Sequence, residues 1–332
     1  MPTLNKAVLQ IYIYTGTVTA TPAASDLKYT LEKNKISTQA NVLFEIGELV
    51  RDYLVHNFND DYISVTAWAT CITKLYEGDT NDTEFASGSP VTQSFLCFDG
   101  YGYFEDGINP QLSDNALFSN STFYLPENTA GKFPILAEGV GKVIIDSTTT
   151  EITDNGNSNQ KIQYITIPAN SSTIQIFDTN DSTLDKTVTI ENICEPKHTP
   201  YKVTFVNKYG AYQDIYFFKK TTESMTIKDE IYKTNTIDNS TVTYATYKGQ
   251  RQRYNAEANK SIELNTGFVN EDFNQAIEEL LISENVWIYW ESKTLPVICK
   301  SLSMSYKTSV NDKLINHTIQ FEFAFNKINN VR

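Results

Sequence analysis

Residues 261–289 read SIELNTGFVNEDFNQAIEELLISENVWIY, and they predict a strand, a helix and a second strand in succession. The helix is indicated by apolar residues at positions i, i+4, i+7 and i+8, which fall on one helical face: Phe273, Ile277, Leu280 and Leu281. Asn270 is the expected N-cap, and the acidic residues Glu271 and Asp272 suit the positive end of the helix dipole. Val286–Trp290 is apolar and aromatic, as buried strands are. This stretch therefore predicts a helix that packs on a β-sheet.

The sequence on both sides of this stretch extends the sheet. Downstream, Pro296–Tyr306 and Asn316–Phe325 are strand candidates, and in the second of them polar and apolar residues alternate with the period of a half-buried strand. Upstream, YKVTFVN (201–207) and QDIYFFK (213–219) flank a short turn and predict a hairpin. We therefore expect residues 196–332 to form a C-terminal β domain flanked by one helix.

The first 195 residues predict two further β domains. Residues 1–108 combine a helix, expected from about Phe44 to Val55, with strands at Val8–Tyr14, Lys28–Ile36, Tyr62–Leu75 and Thr92–Phe98. Residues 109–195 are rich in Thr and Asn, and their predicted strands lie at 133–137, 142–146, 161–167, 172–177 and 187–193. Short strands at this spacing are typical of β-sandwiches. The predicted fold class is therefore mainly β, with a β-sandwich-like domain at 1–108 and a small β domain at 109–195.

The composition argues against partners that carry negative charge. The formal net charge is −13, with 27 Lys and Arg against 40 Asp and Glu, and such a surface repels nucleic acids and anionic membranes. No apolar run approaches the roughly 20 residues that cross a bilayer. The opening MPTLNKAVLQ lacks the apolar core of a signal peptide. We therefore expect neither a nucleic-acid partner nor a membrane partner.

Enzyme chemistry is not indicated by any motif. The chain has 3 His and 4 Cys, and it contains no phosphate-binding loop, nucleophile elbow or HExxH zinc motif. The acidic segments 78–84 and 178–181 do not complete a calcium loop, so solvated loop tips are the simpler interpretation. The cysteines are interpreted as buried small hydrophobes: Cys71, Cys97, Cys194 and Cys299. We predict no enzymatic activity, no cofactor, no metal and no small-molecule substrate.

One turn-rich segment, FDGYGYFEDG (98–107), places the carboxylates Asp99, Glu105 and Asp106 beside several aromatic rings. Paired carboxylates near aromatic rings are found in glycoside hydrolases. The simpler interpretation is a turn whose rings pack on the edge of a sandwich.

Charge is distributed unevenly along the chain. Residues 201–260 carry ten Lys and Arg against six Asp and Glu, whereas residues 75–155 carry 13 Asp and Glu against two Lys. Solvated faces are one interpretation of this contrast. The other is a homo-oligomer in which the basic segment of one copy meets the acidic surface of the next, since head-to-tail contacts generate rings. The residues predicted for that interface are Lys219, Lys220, Arg251 and Arg253, with an apolar centre supplied by Tyr212, Phe217 and Phe218.

Five segments resemble a family of virion structural proteins of tailed phages: IYIYTG (11–16), FDGYGYFEDGINP (98–110), YKVTFVNKYGAYQDIYFFKK (201–220), residues 261–289 and YKTSVNDKLINHTIQFEFAFNKINNVR (306–332). The order of elements over 261–325 is also similar to that of distal tail proteins and their tube-fold relatives. The resemblance implies a tube-like or split-barrel C-terminal domain that forms a ring around the tail axis. The long β-hairpin with which that family closes its ring is not identifiable in this sequence, and the resemblance carries over no catalytic residues.

The resemblance implies a non-enzymatic subunit of the virion, assembled in the cytoplasm of the bacterial host and placed in the tail, baseplate or collar. Its expected partners are copies of itself and other virion proteins. Two alternatives stay open. One is a capsid-decorating or head-fibre protein, and the other is an adhesin whose exposed Tyr and Trp side chains stack on carbohydrate.

Overall fold

The fold was analysed on a computed structural model, which describes residues 4–36, 41–77, 83–85, 88–108, 115–180, 184–235, 243–301 and 315–328. Strand makes up 51% of the structure and helix 7%, so the predicted mainly β class is confirmed. The strands form sheets of four, five, seven and two strands within the described ranges.

The chain divides into two compact units, where the sequence predicted three domains. Unit 1 comprises Met1–Asn192 and Val206–Asp214, and unit 2 comprises Ile193–Phe205 and Ile215–Arg332. The first two predicted domains belong to one unit because buried polar contacts join them. The Asn159 carboxamide accepts a hydrogen bond from the backbone N–H of Gly16 at 2.8 Å and donates one to the backbone oxygen of Thr66 at 2.5 Å.

The first sheet of unit 1 is four-stranded, with its strands in the order β2-β1-β3-β4: β1 (Leu4–Tyr14), β2 (Leu27–Asn34), β3 (Thr66–Glu77) and β4 (Val91–Phe98). Alternate residues of β1 are buried, as its sequence pattern predicts: Ala7, Leu9, Ile11 and Ile13. All three strand pairs are antiparallel, and α1 (Gly47–Arg51) supplies Val50 to the same core.

The helix predicted between about Phe44 and Val55, with a length of a turn and a half to three turns, is α1, which lies at the short end of that range because it has only five residues. Gly47 at its start is a poor helix former, and a helix this short depends on tertiary packing for its stability. After Asp52 the chain continues as a turn, in which the backbone N–H of Leu54 donates to the oxygen of Arg51 at 2.9 Å.

The other strands of unit 1 form a five-stranded sheet in the order β5-β11-β10-β7-β8 and a two-stranded sheet of β6 and β9. Their bounds are β5 (Thr122–Pro126), β6 (Gly131–Leu136), β7 (Val140–Ile145), β8 (Thr148–Glu151), β9 (Ile162–Ile167), β10 (Thr173–Asp178) and β11 (Leu184–Ile193). The sequence predicted all of these strands except β5 and β8.

A seven-stranded sheet in the order β13-β12-β16-β17-β18-β15-β14 dominates the C-terminal region. Its strands are β12 (Tyr201–Val206), β13 (Tyr212–Phe217), β14 (Thr222–Lys233), β15 (Arg251–Asn265), β16 (Val286–Trp290), β17 (Lys293–Cys299) and β18 (Thr318–Phe323). The predicted strands end near these bounds, except that Pro296–Tyr306 runs past the end of β17 at Cys299 and lies outside the described residues from position 302 onward. Residues 306–314 and 329–332 of the segment 306–332 also lie outside the described residues.

The predicted helix of the C-terminal domain is α2 (Phe273–Ile282), with Asp272 rather than Asn270 as its N-cap. Phe273, Ile277 and Leu280 are buried as expected, whereas Leu281 is only half-buried.

A long hairpin of β14 and β15 was not anticipated. The two strands pair from Thr222 opposite Glu263 to Lys233 opposite Arg251. The next strand, β18, pairs with β15 only over Ser261–Asn265. Among the described residues, the hairpin therefore continues beyond the sheet with two strands. We call its outer part, Ile227–Lys233 paired with Arg251–Ala258, the ribbon.

Candidate assembly interface

The ribbon exposes apolar side chains, although its inner end is covered at Ala258, which is buried and accepts a hydrogen bond from the backbone N–H of Lys327. Nearly every ribbon residue is exposed, the exceptions being Asp229, Ala256 and Ala258. Four large side chains are between 45% and 52% accessible: Ile227, Ile231, Tyr232 and Tyr254. The Tyr232 and Tyr254 rings meet edge to face at 5.6 Å. Their mutual contact leaves the outer surfaces of both rings in solvent.

The strand β14 is also an edge of its sheet. It follows β15 at the end of the strand order, and its other side pairs with no strand in the part of the chain that is described. An edge strand presents a row of N–H and C=O groups that can pair with a further strand. A bulge interrupts the ribbon where Asp229 faces Asn255 and Ala256, and bulges increase the local twist of a ribbon.

The four cations predicted for the interface do not form one patch. Lys219 and Lys220 precede the first residue of β14, whereas Arg251 lies opposite Lys233 at the far end of the hairpin. At about 3.3 Å per residue, the two ends of the hairpin lie roughly 36 Å apart. These four residues therefore do not form one continuous basic surface.

Two of these cations already have partners in unit 2. The Lys219 ammonium lies 2.7 Å from a Glu195 carboxylate oxygen, and this contact holds the pKa of Glu195 below its ordinary value. Arg253 Nε lies 2.5 Å from an Asp229 oxygen across the ribbon. Lys220 and Arg251 are exposed and have no ion pair with any described residue. They are the cations most available to a neighbouring molecule.

The aromatic residues predicted for the centre of the interface are buried inside the chain, and that expectation is wrong. Tyr212 is enclosed in unit 1, where its ring lies 4.8 Å from that of Phe58, and burial raises the pKa of its hydroxyl to about 12. Phe217 and Phe218 are enclosed in unit 2, and Phe217 meets the ring of Phe321 at 5.9 Å. The prediction failed because both faces of β13 are buried, so neither face is left for a neighbour.

Part of the predicted acidic surface is neutralised within unit 1. The buried Lys161 ammonium contacts Asp154 and lies 3.7 Å from Glu138. Three further acids of the set, Asp79, Asp82 and Asp114, lie outside the described residues.

The carboxylate of Asp99 is held by two side chains, those of Arg51 and His56. One of its oxygens lies 3.0 Å from Arg51 Nε and the other 3.0 Å from His56 Nε2. Burial acts to raise the pKa of Asp99, but the hydrogen bonds from His56 and Arg51 outweigh it, so the pKa is lowered. The β12–β13 turn packs closely on this residue, since a Cβ at Gly210 would lie 2.8 Å from the Asp99 nitrogen. The Asp99 carboxylate is therefore held by Arg51 and His56, while its backbone lies against the β12–β13 turn.

The segment 98–107 differs from its expected packing at one residue. Tyr101 and Tyr103 are partly buried, with their rings 5.9 Å apart, as a packed turn requires. Phe104 instead has 102% of the reference exposure, in a single 3-10 turn over Phe104–Asp106. Glu105 and Asp106 beside it are exposed, and neither forms an ion pair with any residue in the described ranges. We call Phe104–Asp106 the acidic turn.

A groove of about 310 Å³ opens at one end of the buried sheet face in unit 2. Trp290 and Phe323 line it, and their rings meet at 6.0 Å. Residues directly opposite on paired strands share a face, so the pairing of Trp290 with Lys293 places that lysine on the groove side. Lys327 also lines the groove, because its backbone N–H donates to the oxygen of Ala258 at 2.8 Å.

The histidines and cysteines are dispersed within the described ranges. His56 and His317 are buried and His198 is half-buried, and no group of three or more His, Cys, Asp or Glu side chains there is arranged to hold a metal. Cys71 is buried and Cys97 and Cys299 are half-buried, and burial raises the pKa of all three thiols, that of Cys97 to about 11. Cys194 is exposed, so its prediction as a buried hydrophobe is wrong.

Among the helices that are described, none has both the length and the apolar character of a membrane span. Comparison with known proteins adds no family: neither a protein-family model nor a curated protein matches this chain.

Proposed function

We propose that the protein is a non-enzymatic structural subunit of a tailed-phage virion that assembles with copies of itself into a ring of the tail, baseplate or collar. The resemblance of five segments to virion structural proteins supports the virion role. The ribbon supports assembly, and the proposal depends most on this single element. Other virion proteins are the remaining partners, and assembly takes place in the host cytoplasm.

The ribbon needs a partner for physical reasons. A two-stranded hairpin is marginally stable in water, because sheets become stable with three or more strands or with packing on one face. Apart from the contact of Ala258 with Lys327 at its inner end, the described residues give the ribbon neither, and it exposes Ile227, Ile231, Tyr232 and Tyr254. Complete burial of a fully exposed large apolar side chain contributes about 1.5–3 kcal/mol, and because these side chains are already about half covered, a neighbour would add roughly half of that for each. The same neighbour can pair with the free edge of β14.

In the proposed assembly the ribbon of one subunit meets a different surface on the next. Such a contact is heterologous, and heterologous contacts close into rings when the rotation permits. In the distal tail and tube-fold proteins that this chain resembles, a long β-hairpin closes the ring. The ribbon is the corresponding kind of element in this chain.

The test compares the purified wild-type protein with the double variant Ile227→Ser/Ile231→Ser. Negative-stain images and light scattering should show rings for the wild type and monomers for the variant. The matched control is Leu43→Ser/Ile63→Ser, which removes two exposed apolar side chains of unit 1 outside the ribbon and should leave the rings intact. Thermal unfolding of all three proteins checks that the subunit itself is unchanged.

Wild-type protein that stays monomeric at milligram per millilitre concentrations would contradict the ring. If those monomers bound a glycan array, the adhesin alternative would replace it. Gold labelling of the protein in intact particles then locates it in the virion. Label on the head would favour the capsid-decorating or head-fibre alternative.

A further inference from the structure

Two features of unlike chemistry remain without a role in the ribbon contact. The acidic turn presents a fully exposed phenyl ring next to two carboxylates that have no ion pair with any described residue. The groove of unit 2 presents an aromatic floor next to lysines. We propose that the acidic turn of one subunit docks in the groove of a second subunit, so that Phe104 enters the groove and its acidic neighbours meet the lysines. This inference rests on the proposed self-assembly and names a second contact within it.

The floor of the groove suits an aromatic side chain. Trp290 is held from one side by the ring of Tyr201, stacked at 4.9 Å, and Phe323 lies edge-on to it. Phe325, 46% exposed, extends the same surface at a ring distance of 5.7 Å from Phe323. Rings in such clusters prefer edge-to-face or offset contacts, which a further phenyl ring can complete. The volume of about 310 Å³ also exceeds the needs of one phenyl ring, so the flanking backbone has room to approach.

The rim of the groove suits carboxylates. Lys293 and Lys327 line it, and neither forms an ion pair with any described residue. Lys260 is already satisfied, because it pairs with Glu223 and lies 4.7 Å from the centre of the Trp290 ring. Glu291 stands at the same rim and opposes an anion, so the attraction depends on the two unpaired lysines.

The geometry of both partners is fixed in advance, which lowers the cost of ordering them on contact. On the groove side, Glu291 and Ser292 both have positive φ, at 47° and 62°, as a type I′ hairpin turn requires, and this turn sets Lys293 beside Trp290. On the other side, Gly107 ends the acidic turn in the left-handed conformation at a φ of 66°.

The contact is tested by photocross-linking in the full-length protein. Phe104 is replaced by p-benzoylphenylalanine, and the protein is mixed with a wild-type copy that carries a larger tag. Irradiation should give covalent dimers of mixed size, with the cross-link mapped by mass spectrometry to 290–295 or 323–327. Cross-links that map elsewhere, or that form only within one chain, would overturn the proposal.

Charge reversal tests the pairing itself. Lys293→Glu/Lys327→Glu in the tagged copy should lower the dimer yield at least tenfold, and Glu105→Lys/Asp106→Lys in the photoreactive copy should restore it. Lys197→Glu, an exposed lysine of unit 2 outside the groove, is the control and should leave the yield unchanged. A yield of cross-linked dimers that did not change on charge reversal would contradict the ion pairing.

The two proposals fail in different ways. If rings form but the groove variants leave both rings and cross-links unchanged, the docking is wrong and the ribbon contact stands. If cross-links reach the groove while the wild type forms no ring, the docking stands and the ring is wrong.

Discussion

The close packing of the β12–β13 turn on Asp99 depends on a single residue, Gly210. Gly210 has a φ of 74°, which side chains with a Cβ rarely adopt, and a Cβ there would also meet the Asp99 backbone at 2.8 Å. Gly107 has a similar φ of 66° but nothing within 4 Å of the corresponding position. Substitution of Gly107 tests backbone strain alone, whereas substitution of Gly210 tests backbone strain together with a steric contact.

We expect Gly210→Ala to lower the free energy of unfolding by more than Gly107→Ala does. The left-handed conformation alone costs about 1–2 kcal/mol in each variant, and the contact with Asp99 adds at least ~1 kcal/mol, as overpacking does. Urea denaturation of both variants measures the difference. Equal losses would mean that the β12–β13 turn moves away from Asp99 without cost.

The ionisation of Asp99 predicts a pH dependence of stability. Its pKa is lowered in the folded protein, so it adds stability at pH values above its unfolded pKa of about 3.9, and that stability is lost as the pH falls through the folded pKa. We expect Asp99→Asn to lower the free energy of unfolding by about 1–3 kcal/mol at pH 7. The difference should begin to shrink as the pH falls below about 3.9 and should vanish only below the lowered folded pKa, where the wild-type carboxyl is protonated as well.

Denaturation of both proteins between about pH 2 and pH 8 measures this dependence, because the range must extend below the lowered pKa of Asp99. Asp106→Asn is the control, because Asp106 is exposed and unpaired with any described residue, and it should follow the wild type at every pH. If the loss in free energy of unfolding caused by Asp99→Asn stayed constant across this range, the ionisation of Asp99 would not be its cause, and the carboxamide would be destabilising for steric reasons.

At the scale of elements, α2 offers two neighbouring leucines in different surroundings. Leu280 is fully buried and Leu281 only half-buried. Leu280→Ala should cost about 2–5 kcal/mol, because it removes buried methyl groups and leaves a cavity. Leu281→Ala should cost less than half of that. Denaturant midpoints that matched between the two variants would contradict the orientation of the helix.

The sequence predicted those elements whose two faces differ. In β1, alternation between buried and exposed residues gave a signal of period two, and in α2 the spacing of Phe273, Ile277 and Leu280 gave a helical one. The ribbon carries no such signal, because it is exposed on both faces. In β13 both faces are buried. The order of its residues therefore could not show which aromatic side chains belong to the core and which to an interface.

The candidate interface was predicted only in part, for a related reason. The charges of Lys219 and Arg253 are visible in sequence, but their partners Glu195 and Asp229 are brought to them by strand pairing and chain topology. Sequence spacing likewise gave no indication that Phe104, in a run of aromatic residues, stands alone in solvent. The one available signal was its position between a tyrosine and two acids, which favours an exposed turn.

At the scale of the whole molecule, the paired and unpaired cations should differ in their effect on assembly. Lys220→Ser/Arg251→Ser removes two cations that have no partner among the described residues, and it should shift the particle towards monomer at low salt. Lys219→Ser/Arg253→Ser removes two that are already paired and should have the smaller effect. Added salt should slow association of the wild type, since electrostatic steering is screened over about 8 Å at physiological ionic strength.

Light scattering of both double variants at low and high salt measures this difference. Because exposed ion pairs contribute only about 0–1 kcal/mol each, the effect depends on repetition around a ring. Identical oligomers from the wild type and both variants would leave the apolar ribbon as the sole source of the contact.

The free edge of β14 also bears on the lifetime of a subunit outside an assembly. Backbone amides on that edge are protected by no strand in the described part of the chain, so they should exchange with deuterium much faster than those shared with β15. The same exposed ribbon is the natural first point of attack for a protease. Subunits that fail to find a neighbour would therefore be degraded first, and the population that survives in the cell would be enriched in correctly assembled copies.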